Sequence, residues 1–262
     1  MKTAALPTLF LSHGSPLTAV EPGGAGAAWR ALAADIPRPR AVLVASAHWE
    51  TSLPMLTGGA RPETIHDFSG FPRELYSIRY PAPGAPAIAS RAAALLRQAG
   101  FTPAINGCRG LDHGVWVPLR WMYPDADLPV LQVSVQPGLG TLHHLRLGEA
   151  LAPLVGEGVL VIGSGHATHN LGDWARAHHQ AEPPDYVLEF RAWLHERLAP
   201  PGPVLIGIAL FLTLFMMKPV LTQMWDDALQ PMIDQEISLD EAYDRGYGPM
   251  RDFMLAQTRE ED

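Results

Sequence analysis

The chain has 262 residues, 47% of them hydrophobic and 18% charged, which is enough apolar content to close a sizeable core and too much for a disordered segment. Its formal net charge of −8, with no cluster of Lys and Arg, excludes a nucleic-acid-binding role built on phosphate contacts. Cys108 is the only cysteine, which rules out an internal disulfide and a thiolate metal site, while 11 histidines point to metal chemistry with nitrogen and oxygen ligands in a reducing cytoplasm.

The first residues carry one basic side chain, Lys2, and lead through Pro7 into an apolar run without a small-residue cleavage site, so they read as the approach to a strand and not as a signal peptide. That run, Leu9-Phe10-Leu11-Ser12-His13, breaks on Gly14-Ser15-Pro16, as a buried strand does when it delivers a side chain to its carboxyl end. A helix follows over 25–36, with Trp29, Leu32 and Ile36 at helical spacing, and Arg38-Pro39-Arg40 closes it. The strand pattern then recurs as Ala41-Val42-Leu43-Val44-Ala45-Ser46-Ala47-His48. Strand, helix, strand is the unit of a parallel sheet, and two histidines at matching strand ends suggest a pocket at the open edge of that sheet. Neutral imidazole is the commonest metal donor, so a metal at that edge is weighed evenly against two structural histidines.

A short strand is expected over 53–57, closed by Gly58-Gly59. The segment 63–86 has no periodicity but is rich in aromatics, with His66, Phe68, Phe71 and Tyr80; long loops of this kind are frequently pocket walls or lids. A helix over 85–98 ends at Gly100, and Leu111 to Leu119 sets Asp112 and His113 among apolar residues. A strand over 130–135, a helix over 142–154, a strand over 159–162 running into Gly163-Ser164-Gly165, and a helix over 186–198 complete the regular pattern. The fold class read from this order is α/β: a central, mostly parallel sheet flanked by helices on both faces, in a single domain spanning 1–262.

Taken together, the histidine-bearing pieces resemble the class III extradiol ring-cleavage dioxygenases, in the branch of 4,5-DOPA dioxygenases. The matching pieces are Ser12-His13-Gly14-Ser15-Pro16, Ser46-Ala47-His48-Trp49, and the loop from Thr64 to Pro72 with Tyr80-Pro81-Ala82-Pro83-Gly84. Asp112-His113-Gly114-Val115-Trp116 and the stretch from Gly163 to His169-Asn170-Leu171 complete the set, in the family's order. The resemblance covers roughly residues 7–198. It implies a non-haem metal, usually Fe(II), with Zn(II) also fitting the site, held by His13 and His48 and a third ligand from the C-terminal part. Three protein ligands on one face leave room for a catecholate and dioxygen. His169 matches the family's acid–base residue, a role that suits a group titrating near neutrality, and His113 matches a second pocket histidine that orients substrate or oxygen. His66, Phe71 and Trp49 are the expected substrate-binding residues. Asp67 and Asp112 are read either as partners that set a histidine tautomer or as turn residues. His166 is given no role, and His143, His178, His179 and His195 are read as solvated helix-surface groups.

Residues 200–262 depart from this pattern. No histidine follows His195, and the nearest alignment of the apolar stretch puts Leu210 where the third ligand is expected. The uncharged run 204–217 is 14 residues long, short of the roughly 20 that a membrane span requires, and reads as core or as a subunit interface in a homodimer. A carboxylate such as Asp226, Asp227 or Glu236 could replace the missing imidazole, or the site could bind metal weakly through two histidines and water. The expectations are therefore an Fe(II)-dependent dioxygenase opening a small catechol with dioxygen, or a non-catalytic relative acting as a binding module. A metal-dependent hydrolase using the same histidines to activate water is the third.

Overall fold

A computed structural model describes residues 6–166 and 183–197. Six strands, Thr8–Ser12 (β1), Ala41–Glu50 (β2), Met55–Thr57 (β3), Ala104–Asn106 (β4), Val130–Val135 (β5) and Val159–Gly165 (β6), form one sheet in the order β1-β6-β2-β5-β3-β4. β1, β6, β2 and β5 run parallel, while β3 lies antiparallel to β5 and carries β4 parallel to itself. The helices are Gly23–Asp35 (α1), Pro86–Gln98 (α2), His113–Met122 (α3), Gly140–Leu151 (α4), the single turn Pro153–Gly156 (α5) and Asp185–Arg197 (α6).

The near-continuous apolar runs of β2, β5 and β6 follow from burial on both faces of the sheet. Side chains alternate with period two, so Val42 and Val44 pack with Leu160 and Ile162 against Trp29 of α1 and Val115, Trp116 and Leu119 of α3. Leu43 and Ala45, with Val159, Val161, Leu131 and Val133, face the other way, against Ala89, Ala92, Ala93 and Leu96 of α2 and Leu147 and Leu151 of α4. The small residues of α2 recur three and four apart, which lets that helix lie close on the sheet. The α/β sheet with helices on both faces that the pattern predicts is the fold observed.

Register decides where the site forms. Ser12 pairs with Gly165 and Ser46 with Ser164, so β1, β6 and β2 end side by side at the same edge. The two strand-end histidines are thereby brought to adjacent positions across β6, although 35 residues separate them in the chain.

Three local features differ from the sequence expectation. The strand expected over 53–57 is only Met55–Thr57, and β4 was not anticipated; both are three residues long, too short for an alternating pattern to register. The stretch from His113 to Met122 is a helix although it contains Gly114, Val115, Val117 and Pro118, all weak helix formers. Its burial explains this: Val115, Trp116, Val117 and Leu119 are almost wholly enclosed, and packing outweighs propensity. No helix among the described residues is long and apolar enough to cross a membrane, and the 204–217 run lies outside them.

Next to β5, His144 of α4 is fully buried and serves the backbone on both sides. Its Nδ1–H donates to Gly140 O at 2.6 Å, and its Nε2 accepts from the backbone N–H of Gln136 at 3.1 Å. His143 is also not the solvated residue expected; it meets Gln136 Oε1 at 2.9 Å and packs on Phe101. Burial pushes the His144 pKa down from 6.5 to about 3, so the native imidazole stays neutral where the unfolded one would take a proton. Stability from this group is complete above pH 6.5 and is lost as the pH falls toward about 3. The urea midpoint of the wild type should therefore fall between pH 6.5 and 5, with this residue adding a slope approaching about 1.4 kcal/mol per pH unit. His144→Gln should flatten that segment of the profile.

Candidate metal centre

His13 stands one residue beyond β1. Its backbone N–H donates to Gly165 O at 3.1 Å, and Gly14 then turns the chain away at φ +73°. A Cβ on Gly14 would lie 2.6 Å from Thr18 Oγ1, so the turn needs glycine for both conformation and space. His48 lies near the end of β2, where the ladder with β5 is irregular between Ala45 and Glu50. Breaks of this kind re-aim side chains beside sites. His113 occupies the first turn of α3, on the face that packs against the sheet.

These three imidazoles converge. The Nε2 atoms of His13 and His48 are 3.0 Å apart, and the ring centroids of His113 lie 4.0 Å from His48 and 5.2 Å from His13. One ring nitrogen from each lies within 4.8 Å of those of the other two. At metal–nitrogen bonds of about 2.1 Å, two donors at a right angle stand about 3.0 Å apart, so the His13–His48 pair already has the separation of two ligands on one ion. The donor set is all-nitrogen and suits Zn(II) or Fe(II).

The far side of each ring is held. His13 Nδ1 lies 2.9 Å from Ser164 Oγ, and Ser164 donates its hydroxyl proton to the carbonyl of Gly114. That carbonyl is available because the residue four positions on, Pro118, has no N–H to offer it. With its proton given to Gly114, the Ser164 oxygen accepts from His13 Nδ1–H, which leaves the Nε2 lone pair of His13 facing the cluster.

Asp67, from the aromatic loop, serves the other two rings. Its Oδ2 is 3.0 Å from His113 Nδ1 and 3.6 Å from His48 Nδ1, and its Oδ1 accepts the backbone N–H of His113 at 2.9 Å. A carboxylate at the start of α3 is also favoured by the helix dipole. Burial works to raise the Asp67 pKa, but the hydrogen bonds and charge of His113, with the charge of His48, outweigh it and hold the carboxyl below its usual range. Asp112 is fully buried and takes hydrogen bonds from Ser46 Oγ at 2.6 Å, Gln132 Nε2 at 2.7 Å and Arg109 Nη2 at 3.1 Å. Of the two aspartates weighed from the sequence, Asp67 touches the rings and Asp112 anchors the frame around them.

The remaining expected residues fall in different places. His66 lies in an aromatic nest, its ring 5.7 Å from Phe68 and 5.8 Å from Trp116, with Nε2 3.1 Å from Ile78 O. Phe71 packs edge-on against Phe68, and Phe68 in turn meets His113 edge-on at 5.7 Å. Trp49 is buried, with the Arg109 guanidinium 5.3 Å from its ring, and Arg109 also donates to His48 O at 3.3 Å. His169, His178 and His179 lie outside the described residues, as does Leu210. His166, given no role from the sequence, is close: its ring is 4.6 Å from His13, its Nδ1 3.3 Å from Ser12 Oγ, and its Nε2 3.2 Å from Gly14 O. The parts that sequence reasoning missed are Ser164, Ser46, Gln132, Arg109 and His166. Ser164 and Ser46 had a signal, the strand-end position they share with Ser12.

Two variants test this frame. Ser164→Ala removes the hydroxyl shared by His13 and the Gly114 carbonyl, and should weaken Zn(II) binding by about 10- to 100-fold in calorimetric titration. Gly114→Ala would bring a Cβ to 2.5 Å from Ser46 Oγ and 3.1 Å from His48 Cδ2, and should lower both metal affinity and the melting temperature.

The chain is similar to several known proteins. The chain is 49% identical over 167 residues to the 4,5-DOPA dioxygenase extradiol of Beta vulgaris, covering 62% of this chain and 62% of that protein. It is 39% identical over 204 residues to the protein of that name from Escherichia coli K12, covering 78% and 74%. The crystal structure of an uncharacterized Escherichia coli K12 protein superposes with a TM-score of 0.61 at 29% identity, over 82% of this chain and 91% of that one. A different stretch of similarity is shorter: 64 residues are 52% identical to the flagellar biosynthetic protein FliP of Pectobacterium carotovorum, 24% of this chain and 25% of that protein. Residues 7–245 match the catalytic LigB subunit of aromatic ring-opening dioxygenases, and the chain belongs to that family.

Proposed function

We propose that this protein is a metal-dependent extradiol dioxygenase that opens the ring of a small catechol and places both atoms of dioxygen in the product. The observation that carries the reading is the convergence of His13, His48 and His113, with His13 Nδ1 bonded to Ser164 and the Asp67 carboxylate facing the other two rings. The names of the relatives support the reaction class and suggest a catechol bearing an amino-acid side chain. Fe(II) held by His13 and His48 would supply the centre through which electron density passes from the catecholate to dioxygen.

The chain's own residues would do the rest. The His13 and His48 rings present nitrogens in fixed orientation, so little ordering is paid when an ion enters. Phe68 and Phe71, with His66 behind them, form the apolar wall beside His113 against which a catechol ring could lie and from which water is shed. Trp49 carries the Arg109 guanidinium beside His48, and that cation would favour an anionic substrate there. His169 takes the acid–base part in this reading, removing a catechol proton and returning it as the ring opens.

One observation favours a second reading. Leu210 stands where the resemblance expects a ligand, so a chain that binds catechols without turning them over is the alternative. The two separate in one assay. Protein reconstituted anaerobically with Fe(II) and then given air and 3,4-dihydroxyphenylalanine should consume one dioxygen per substrate and form a yellow ring-opened product. His13→Ala and His48→Ala should abolish both signals, and His169→Ala should lower kcat by about 10²- to 10⁴-fold. Catechol binding without oxygen uptake in the iron-loaded wild type would establish the alternative.

A further inference from the structure

We propose that the third protein ligand is His113, supplied by the same described part of the chain as His13 and His48. The inference rests on the metal-dependent reading above and concerns how this particular chain completes its coordination.

The first support is negative and chemical. No histidine follows His195, and leucine at position 210 has no atom that can bind a cation. The second is the similarity to FliP. The dioxygenase motifs begin at Ser12 and end at Leu171, with less than 50 residues between consecutive ones. A stretch of 64 residues free of those motifs therefore exists only in the C-terminal part of the chain, the part that departs from the dioxygenase pattern.

The third support is the position of His113. It lies where a third ligand would be needed, with its ring centroid 4.0 Å from that of His48. Asp67 holds its backbone N–H at 2.9 Å and faces its Nδ1 at 3.0 Å, and one of its ring nitrogens lies within 4.8 Å of those of the other two rings. Gly114 packs on His48 closely enough that a Cβ there would sit 3.1 Å from His48 Cδ2, so α3 and β2 are locked in this spacing. Among the described residues, three imidazoles, just past β1, in β2 and in α3, lie close enough to hold one ion. The substrate-orienting part that the resemblance gave to His113 then passes to its neighbours Phe68 and Arg109.

The test is Co(II) binding to the full-length, metal-stripped protein under anaerobic conditions, followed by calorimetry and by the visible d–d bands, which report ligand number without turnover. Wild type should bind one Co(II) per chain. His113→Ala should weaken binding by about 100-fold or more and shift the bands, as His13→Ala does. His113→Asn keeps a donor toward Asp67 but lacks the distal ring nitrogen, so it should show the same loss with the fold intact by circular dichroism. Leu210→His should bind Co(II) as wild type does. Wild-type affinity in His113→Asn, or a tenfold tightening in Leu210→His, would overturn the proposal while leaving the metal-dependent reading in place. Wild type that binds no more Co(II) than His13→Ala would overturn both.

Discussion

A proline that withholds one hydrogen bond orders the centre of this protein. Pro118 cannot donate to the carbonyl of Gly114, and that carbonyl lies inside the sheet–helix interface where an unmet acceptor costs about 1–3 kcal/mol. Ser164, at the end of the central strand β6, meets it, and in doing so commits its hydroxyl proton. The Ser164 oxygen is then an acceptor for His13, whose ring is fixed in tautomer and orientation. A break in helical bonding, a strand terminus and a ligand tautomer are thus one connected arrangement. Gly114 adds the steric half, since the absence of a side chain there lets α3 approach His48.

Asp67 closes the arrangement from the other side. A single carboxylate caps α3 through the His113 N–H and faces the Nδ1 atoms of two imidazoles. The loop that carries it also carries Phe68 and Phe71, so the same segment orients the ligands and supplies the apolar wall. Beneath, Asp112, Ser46, Gln132 and Arg109 form a buried polar network in which the carboxylate takes hydrogen bonds from β2, from β5 and from the loop that leads into α3. Buried polar groups of this kind cost stability unless fully paired, and once paired they hold one geometry.

Much of this was legible in the chain. Apolar runs ending in His13 and His48 announced two parallel strands with polar termini, because residues buried on both sheet faces have no alternating pattern and histidine marks where burial ends. Helices α1, α2, α4 and α6 followed from their spacing to within a few residues. α3 was hidden, since glycine, valine and proline argue against a helix and only burial between α1 and the sheet overrides them. β4 and the antiparallel turn of β3 were hidden because a three-residue strand takes its partner from its surroundings. His166 looked incidental in sequence, yet the pairing of β1 with β6 brings it within 4.6 Å of His13.

By itself the sequence determined the kinds of element, their order, the impossibility of an internal disulfide, and the imidazoles available at strand ends. These follow from local composition, where hydrophobic spacing and turn residues act over a few positions. Which nitrogens meet, which face outward to Ser164 and Asp67, and that His113 joins His13 and His48 were decided only in three dimensions. Strand register and helix packing couple residues from 35 to more than 150 positions apart, and no local pattern encodes that distance.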